Sequence, residues 1–276
     1  MAQWNKNTSE KLNNNATLFE MVMFSDQEGN PINTFGSASN IPLANGSLTG
    51  YTAVHKFGMI DGTVGSGWST VWTHGETTDD QLYPWSASSS AANVTSSSGS
   101  DTTPITLEGL DTDYNFQTET LTLSGTGNVV GNKVWGRVNR AFMSGTETNV
   151  GTITVSNATG VVISEIKAGR GQTLQALYTV PSNCTAFLST IQMTSSRNQV
   201  VEVSMFARPF GGAFRVVGGS VLYQSDHTIE YSVPIKFTEK TDIGVRTMGA
   251  SGGTVSTSFD LIVVNNSLLS TPSTGT

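Results

Sequence analysis

The chain has few charged residues and few of the residue types on which catalytic and metal sites depend. Charged side chains make up 13% of its 276 residues, about half the usual share for a soluble protein. Its one cysteine, Cys184, cannot form an internal disulfide. None of its three histidines lies at a spacing typical of a zinc site. We therefore expect Cys184 to be a small, partly buried residue, and we expect no metal, no cofactor and no catalytic residue.

An excess of positive charge is also missing. The net charge is −7 and the isoelectric point is about 4.9, whereas a nucleic-acid-binding surface is basic. The chain has no run of 18 apolar residues, and its first residues lack the apolar segment of a signal peptide. These absences predict that neither nucleic acid nor a membrane is a partner.

What the chain does have is the composition of short strands and polar turns. Serine and threonine fill about a quarter of it, and there are 29 glycines. Apolar and polar residues alternate with a period of two, which places one set of side chains on each face of a strand. The alternation is clearest at residues 105–107, 121–123, 153–155, 201–205, 229–233 and 255–263. Many strands separated by glycine- and asparagine-containing turns predict an all-β fold, namely a β-sandwich or jelly roll with Greek-key connections.

The composition changes along the chain and predicts three sections. Residues 1–50 indicate an extended N-terminal arm with one strand, and 51–103 an irregular, aromatic- and serine-rich section packed on the main domain. Residues 104–276 carry the strand pattern of the β-sandwich domain. The serine-rich run at 86–100 is typical of a flexible surface loop.

A group of large aromatic side chains falls in the irregular section. It consists of Trp68, Trp72, Tyr83 and Trp85. Aromatic residues clustered in a loop can form a sugar-binding or partner-binding surface. They can equally hold the loop against the sandwich, and the sequence leaves both interpretations open.

Arginine recurs beside phenylalanine in the predicted sandwich. The residues concerned are Arg137, Arg140, Phe142, Arg208, Phe210, Phe214 and Arg215. Arginine and aromatic residues together are the composition of interface contacts between proteins. The alternative is that each arginine lies over the domain core with its charged end in water.

Two carboxylates, Glu108 and Asp111, are the candidates for a hydrolase active site. A glycoside hydrolase needs two such groups in one cleft, and no serine-hydrolase motif is present. Asp111 begins the sequence Asp-Thr-Asp-Tyr-Asn, in which Asx side chains favour a turn between two strands. We therefore expect no enzymatic activity.

Several short phrases of the chain occur in a familiar order. They include ITLEGLDTDYN at 105–115, ETLTLSG at 119–125, RVNRAF at 137–142, ARPFGGAFR at 207–215 and TDIGVR at 241–246. Over roughly residues 50–264 this series resembles a group of virion structural proteins from tailed phages, many of them marine. The resemblance brings no catalytic residues with it.

This resemblance implies an oligomeric structural protein of the virion, assembled in the host cytoplasm. Its expected partners are copies of itself and other virion proteins, either the major capsid protein or neck and tail proteins. Capsid decoration or cementing is the first expectation, with residues 1–50 reaching a neighbouring subunit. A tail or neck fibre, or a receptor-binding protein that binds a glycan, is the alternative.

Overall fold

A computed structural model describes residues 24–25, 31–32, 40–62, 67–76, 81–85, 89–249 and 252–269. The chain forms two compact units, residues 1–53 and 54–276. The described part of the first contains a short antiparallel pair of strands, β1 (Phe24–Ser25) and β2 (Pro31–Ile32), and a short helix, α1 (Asn40–Ala44). Most of the predicted arm, including residues 17–23 of its predicted strand at 17–24, lies outside the described residues.

The second unit contains two antiparallel sandwiches. One of them uses eight strands: β3 (Tyr51–Asp61), β12 (Leu177–Thr179), β13 (Cys184–Ser195), β14 (Val201–Arg208), β15 (Arg215–Leu222), β16 (Asp226–Phe237), β17 (Asp242–Gly249) and β18 (Thr254–Asn265). The sheet orders are β16–β13–β18–β3 and β12–β17–β14–β15. In chain order, the outermost strands β3 and β18 pair with each other, then β12 with β17, β13 with β16 and β14 with β15. This nested pairing is that of a jelly roll.

The other sandwich is inserted between β3 and β12. Its strands are β5 (Ser90–Ser96), β6 (Pro104–Leu110), β7 (Phe116–Thr122), β8 (Val129–Trp135), β9 (Arg137–Met143), β10 (Ile153–Ser156) and β11 (Val162–Ile166). They form the sheets β11–β10–β5–β8 and β7–β6–β9. A two-residue strand, β4 (Ser69–Thr70), pairs with β17, and short 3-10 helices occupy Thr73–Glu76 and Asn266–Leu268. The predicted all-β class and the β-sandwich architecture are confirmed.

Each sandwich has its own core, as strand alternation requires. Val201, Val203 and Met205 of β14 point into the jelly-roll core, and Ile243 and Val245 of β17 meet them there. The inserted sandwich closes around a separate core that contains Ile105, Leu107, Leu121, Ile153 and Val155. Because these residues alternate with polar ones, the opposite face of each strand is left for other contacts.

Two details differ from the sequence-based expectations. The serine-rich run at 86–100 was expected to be a surface loop, but Ser90–Ser96 is strand β5, which lies between β8 and β10 with Ala92 and Val94 fully buried. Small residues suit an interior strand here because neighbouring side chains fill the space. Val233 was expected to point inwards but is 81% exposed, since β16 is an edge strand interrupted by Pro234. The domain boundaries at 50 and 103 stay predictions.

None of the helices in the described ranges is long and apolar enough to cross a lipid bilayer.

Candidate interaction site at the junction of the two sandwiches

One buried carboxylate, Asp242, lies where the two sandwiches meet. It begins strand β17, and its side chain points away from the jelly-roll core while the next residue, Ile243, points into it. The side chain of Asp242 is only 4% exposed. A carboxylate buried to this extent requires charged or hydrogen-bonding partners.

Arginines from both sandwiches supply those partners. Arg137, on β9 of the inserted sandwich, places Nε 2.9 Å from Asp242 Oδ1 and Nη2 3.1 Å from Oδ2. Arg208, at the end of β14, donates to Oδ2 from Nε at 3.1 Å and from Nη2 at 2.5 Å. The hydroxyl of Thr179 donates to Oδ1 at 2.7 Å. Two guanidinium groups therefore share one carboxylate, which leaves a net positive charge.

The positive charge continues across the outer face of the sheet. The guanidinium of Arg208 lies 4.7 Å from the ring centroid of Phe214, and that of Arg246 lies 4.4 Å from the same ring and 4.4 Å from that of Phe206. Phe206 in turn meets Trp68 edge to face, with centroids 5.1 Å apart. We refer to Arg208, Phe214, Arg246, Phe206 and Trp68 as the arginine–aromatic stack. Planar guanidinium groups on aromatic faces are favourable contacts, and they hold both side chains in place.

The electrostatics of the junction differ from one arginine to the next. Burial lowers the pKa of Arg137, but its hydrogen bonds and charge interaction with Asp242 outweigh burial, and the pKa lies above its ordinary value. Burial and the neighbouring charge of Arg208 both lower the pKa of Arg246. Arg137 is thus compensated by a carboxylate, whereas Arg246 experiences repulsion from Arg208.

A loop of the inserted sandwich also reaches the jelly roll. The Asp111 carboxylate accepts hydrogen bonds from the backbone of Asp113 and Asn115, as the predicted turn requires. Burial raises the pKa of Asp111, but these hydrogen bonds more than offset it and leave the pKa below its ordinary value. The turn presents Tyr114, whose ring packs against Phe210 with centroids 5.7 Å apart. The loop is therefore part of the junction between the sandwiches.

The four aromatic residues proposed as a ligand surface cover the jelly-roll sheet instead. Trp72, Tyr83 and Trp85 are 1%, 5% and 6% exposed and pack edge to face in series, at centroid distances of 5.1 and 4.8 Å. Trp85 lies directly over Gly244, where a Cβ atom would come within 3.0 Å of its ring. Trp68 is half-buried in the arginine–aromatic stack. The prediction of an open ligand surface is therefore wrong for Trp72, Tyr83 and Trp85, because burial leaves their rings no face for a sugar.

The seven residues proposed as an interface are divided by the structure into three groups. Arg137, Arg208 and Phe214 belong to contacts within the chain, as described above. Arg140 lies over Phe142 at 4.5 Å from its ring and donates to Gln172 at 3.0 Å, well away from Asp242. Phe210, which is 65% exposed, and Arg215, also exposed, remain available to a partner. Their role in an interface stays a prediction.

Asp242, Arg246, Tyr114 and Lys240 complete the junction and were not anticipated from the sequence. The Lys240 ammonium lies 5.6 Å from the ring of Tyr114 and 5.3 Å from that of Phe210. The available signal was a single carboxylate at the start of a strand, followed by three apolar residues, in Asp242-Ile-Gly-Val-Arg246. A lone acid in that position requires a cationic partner, although the sequence does not say which one.

The two candidate hydrolase carboxylates have separate structural roles. Glu108 lies 3.8 Å from Arg140 Nη1, across a strand pair, and Asp111 organises its own turn. In the part of the chain that the structure describes, no group of three or more histidine, cysteine, aspartate or glutamate residues is placed to hold a metal ion.

One lysine is buried beneath the same region. Lys56, on β3, is 7% exposed, and its ammonium lies 2.5 Å from the backbone carbonyl of Asn139. Burial, with a further contribution from Arg140, lowers the pKa of Lys56 to about 7. This residue therefore connects the jelly roll to the inserted sandwich by a hydrogen bond that a neutral amine can also make.

The jelly roll has an open edge at strand β15. In the described part of the chain, β15 pairs with β14 alone, and Val216 and Val221 on its outer face are 59% and 66% exposed. Tyr223, in the following turn, is 58% exposed. Charged side chains and proline usually protect an edge strand from pairing with another chain. Residues 216–222 of β15 contain neither.

Comparison with known proteins gives matches to solved structures, and these matches are weak. No family model and no curated protein sequence matches the chain. The solved structures that align with it include infectious bursal disease virus Gt strain, at 12% identity over 79% of this chain and 73% of that chain, with a TM-score of 0.21. The infectious bursal disease virus VP2 subviral particle aligns at 10% identity over 79% and 72%, with a TM-score of 0.23. The Gx strain aligns at 13% over 80% and 73%, also with 0.23. Scores of this size do not establish a common fold.

Proposed function

We propose that the protein is a structural component of a tailed-phage virion that works in many copies, as a capsid decoration or cement protein, without catalysis. The observation that carries the proposal is the nested strand pairing of residues 54–265, in which two four-stranded sheets form a jelly roll. Jelly rolls are common in viral capsid proteins, although lectin domains use them too. The resemblance to virion proteins over residues 50–264 points to the first of these uses.

The open β15 edge supports assembly from repeated copies. An edge strand with exposed valines and no charge over residues 216–222 is a template for pairing with another chain, and monomeric proteins avoid it. By contrast β16, one of the two edges of the other sheet, contains Pro234 and the charged residues Asp226, Glu230 and Lys236. The difference favours β15 as the side at which a neighbouring copy packs.

The burial of the aromatic residues argues against the glycan-binding alternative at that location. Trp72, Tyr83 and Trp85 are buried and expose little ring surface. A receptor-binding protein of the tail would need a different surface.

Substitution at the open edge tests the proposal. Val221→Asp places a charge on the β15 surface, and we expect it to reduce incorporation into particles at least tenfold while the isolated protein remains folded. Val200→Asp is the control, since Val200 is similarly exposed, at 61%, outside β15. Equal incorporation of both variants and the wild type would contradict a role for this edge.

Removal of residues 1–50 tests the proposed arm separately. If the arm reaches a neighbouring subunit, the shortened protein should fold but be released from particles under conditions that retain the full chain. Unchanged retention would exclude the arm from assembly and leave the β15 edge as the candidate contact.

A further inference from the structure

The arginine–aromatic stack contains a guanidinium group that two rings hold in place and that pairs with no carboxylate of the described residues. Among the described residues, the side chain of Arg246 donates no hydrogen bond and forms no ion pair; its guanidinium lies over the rings of Phe206 and Phe214. None of its nitrogen atoms is among those buried without a partner, so their N–H groups remain open to solvent. The two rings fix the plane of the guanidinium, while its edge stays free.

The charges around Arg246 are unbalanced. Arg137, Arg208 and Arg246 follow one another across the junction, and within the described ranges Asp242 is the one carboxylate that pairs with any of them. Arg137 and Arg208 both form ion pairs with Asp242, so this carboxylate does not neutralise the charge of Arg246. The proximity of Arg208 lowers the pKa of Arg246, which is the expected sign of repulsion between like charges. An anion at this point would relieve that repulsion.

From this geometry we propose that Arg246 is the centre of an oxyanion-binding site, with Arg208 as a second positive charge, and that it takes a carboxylate or phosphate group. A planar guanidinium offers parallel N–H donors that match two oxygens of such a group. Because the stacked rings hold the side chain in advance, little rotamer entropy is lost on binding. Anion binding at Arg246 is a property of the folded chain, whereas a second copy as the source of the anion rests on the assembly proposed above.

Two sources could supply the oxyanion. One is free phosphate, and the other is an aspartate or glutamate side chain of a second copy of this chain. The position of Arg246 favours the second source. It lies on β17, next to β14, on the same outer face as Val216 and Val221 of β15. A carboxylate of a second copy that covers this outer face would meet Arg246, whereas β14 separates Arg246 from the β15 edge itself.

Titration of the full chain with inorganic phosphate and with acetate tests the site. The measurement is the NMR shift of the arginine Nε–Hε resonances, with Arg246 assigned by its loss in Arg246→Gln. We expect a saturable shift of Arg246 with both anions. The Arg208 Nε–Hε resonance, which remains in every variant, reports binding to the variants, and we expect roughly tenfold weaker binding to Arg246→Gln. Arg246→Lys should retain part of the binding because it keeps the charge but loses the paired donors. Arg215→Gln, which removes an exposed arginine outside the stack, should bind as the wild type does.

Self-association of the same variants distinguishes the two sources. If the oxyanion comes from a second copy, Arg246→Gln should weaken self-association in sedimentation velocity, and phosphate should compete with it in the wild type. If phosphate binds but self-association is unchanged, the site takes a free anion. The proposal is overturned if neither anion shifts the Arg246 resonance, or if Arg246→Gln binds phosphate as tightly as the wild type.

Discussion

Arg137 Nε lies 2.9 Å from Asp242 Oδ1, and this ion pair joins a strand of the inserted sandwich to a strand of the jelly roll. The pair is largely buried, with side-chain exposures of 11% and 4%. A buried ion pair contributes little net stability compared with apolar residues, but it is costly to break. We therefore expect this pair to favour one orientation of the inserted sandwich on the jelly roll. The pair thus determines how the inserted sandwich is attached.

Removal of the carboxylate should be strongly destabilising. Asp242→Asn leaves Arg137 and Arg208 buried without a counter-charge, and we expect a loss of about 3–5 kcal/mol in the free energy of unfolding. Urea denaturation measures this loss. Asp226→Asn, at an exposed position on β16, is the control and should change stability by less than about 0.5 kcal/mol. Similar small losses in both variants would show that Asp242 does not hold the junction. Addition of Arg137→Met to Asp242→Asn should recover part of the loss.

Lys56 should give the stability a characteristic pH dependence. Its pKa is about 7 in the folded protein and near 10.5 when the chain is unfolded. Between these values the unfolded chain binds a proton that the folded chain does not, so the free energy of unfolding rises with pH, by at most about 1.4 kcal/mol per unit. The rise from pH 7 to 9 should be present in the wild type and absent in Lys56→Met. Lys133→Met, at an exposed site, should retain it.

A rise of equal slope in Lys56→Met would show that another group causes it. The tyrosines do not interfere in this range, because burial raises the pKa of both Tyr83 and Tyr178 and their effect appears at higher pH. Cys184, whose pKa is also raised by burial, opposes the rise near pH 9, and it does so equally in each variant.

The buried aromatic residues should prove structural when they are replaced. Trp72 is 1% exposed and contacts Tyr83. Trp72→Ala should therefore lose about 3–5 kcal/mol of unfolding free energy. Phe116→Ala, which removes a 63% exposed ring, is the matched control and should be nearly neutral. A stable Trp72→Ala protein with impaired adsorption to host cells would contradict this account and support the receptor-binding alternative.

Strand β3 passes close to the residue that precedes β12, and this close approach requires a glycine in β3. A Cβ atom at Gly58 would lie 2.3 Å from the amide nitrogen of Ala176, which donates to Val71 at 2.9 Å. Gly58→Ala must displace backbone on both sides, and we expect a loss above about 3 kcal/mol or failure to fold. Gly99→Ala, which meets nothing within 4 Å, should be tolerated. Thermal melts of the two proteins compare them directly, and equal stability would mean that the close approach is not required.

The strands were predictable where apolar residues alternate, and less so where side chains are small. Ile105 and Leu107, like Val201 and Val203, alternate with polar residues and are fully or almost fully buried, as expected. Strand β5 was missed because serine and alanine are also typical of loops. The signal that remained was the alternation of two apolar residues, Ala92 and Val94, with the polar residues Asn93 and Thr95. The insertion of one sandwich into another depends on pairings distant in sequence, which local patterns do not encode.

The candidate site was only partly predictable for a related reason. The sequence places arginines beside phenylalanines, but the same composition serves a junction within one chain and an interface between chains. The choice depends on Asp242, which lies 105 positions from Arg137 along the chain. That separation explains why Arg137 and Arg208 were assigned to an external interface.

The copy number of the protein in purified phage particles tests the central claim most directly. Quantitative mass spectrometry would measure it relative to the major capsid protein. The account predicts a ratio on the order of the capsid lattice, as repeated decoration sites require. A few copies per particle would instead indicate a neck, tail or fibre component. Absence of the protein from particles would contradict a structural role in the virion.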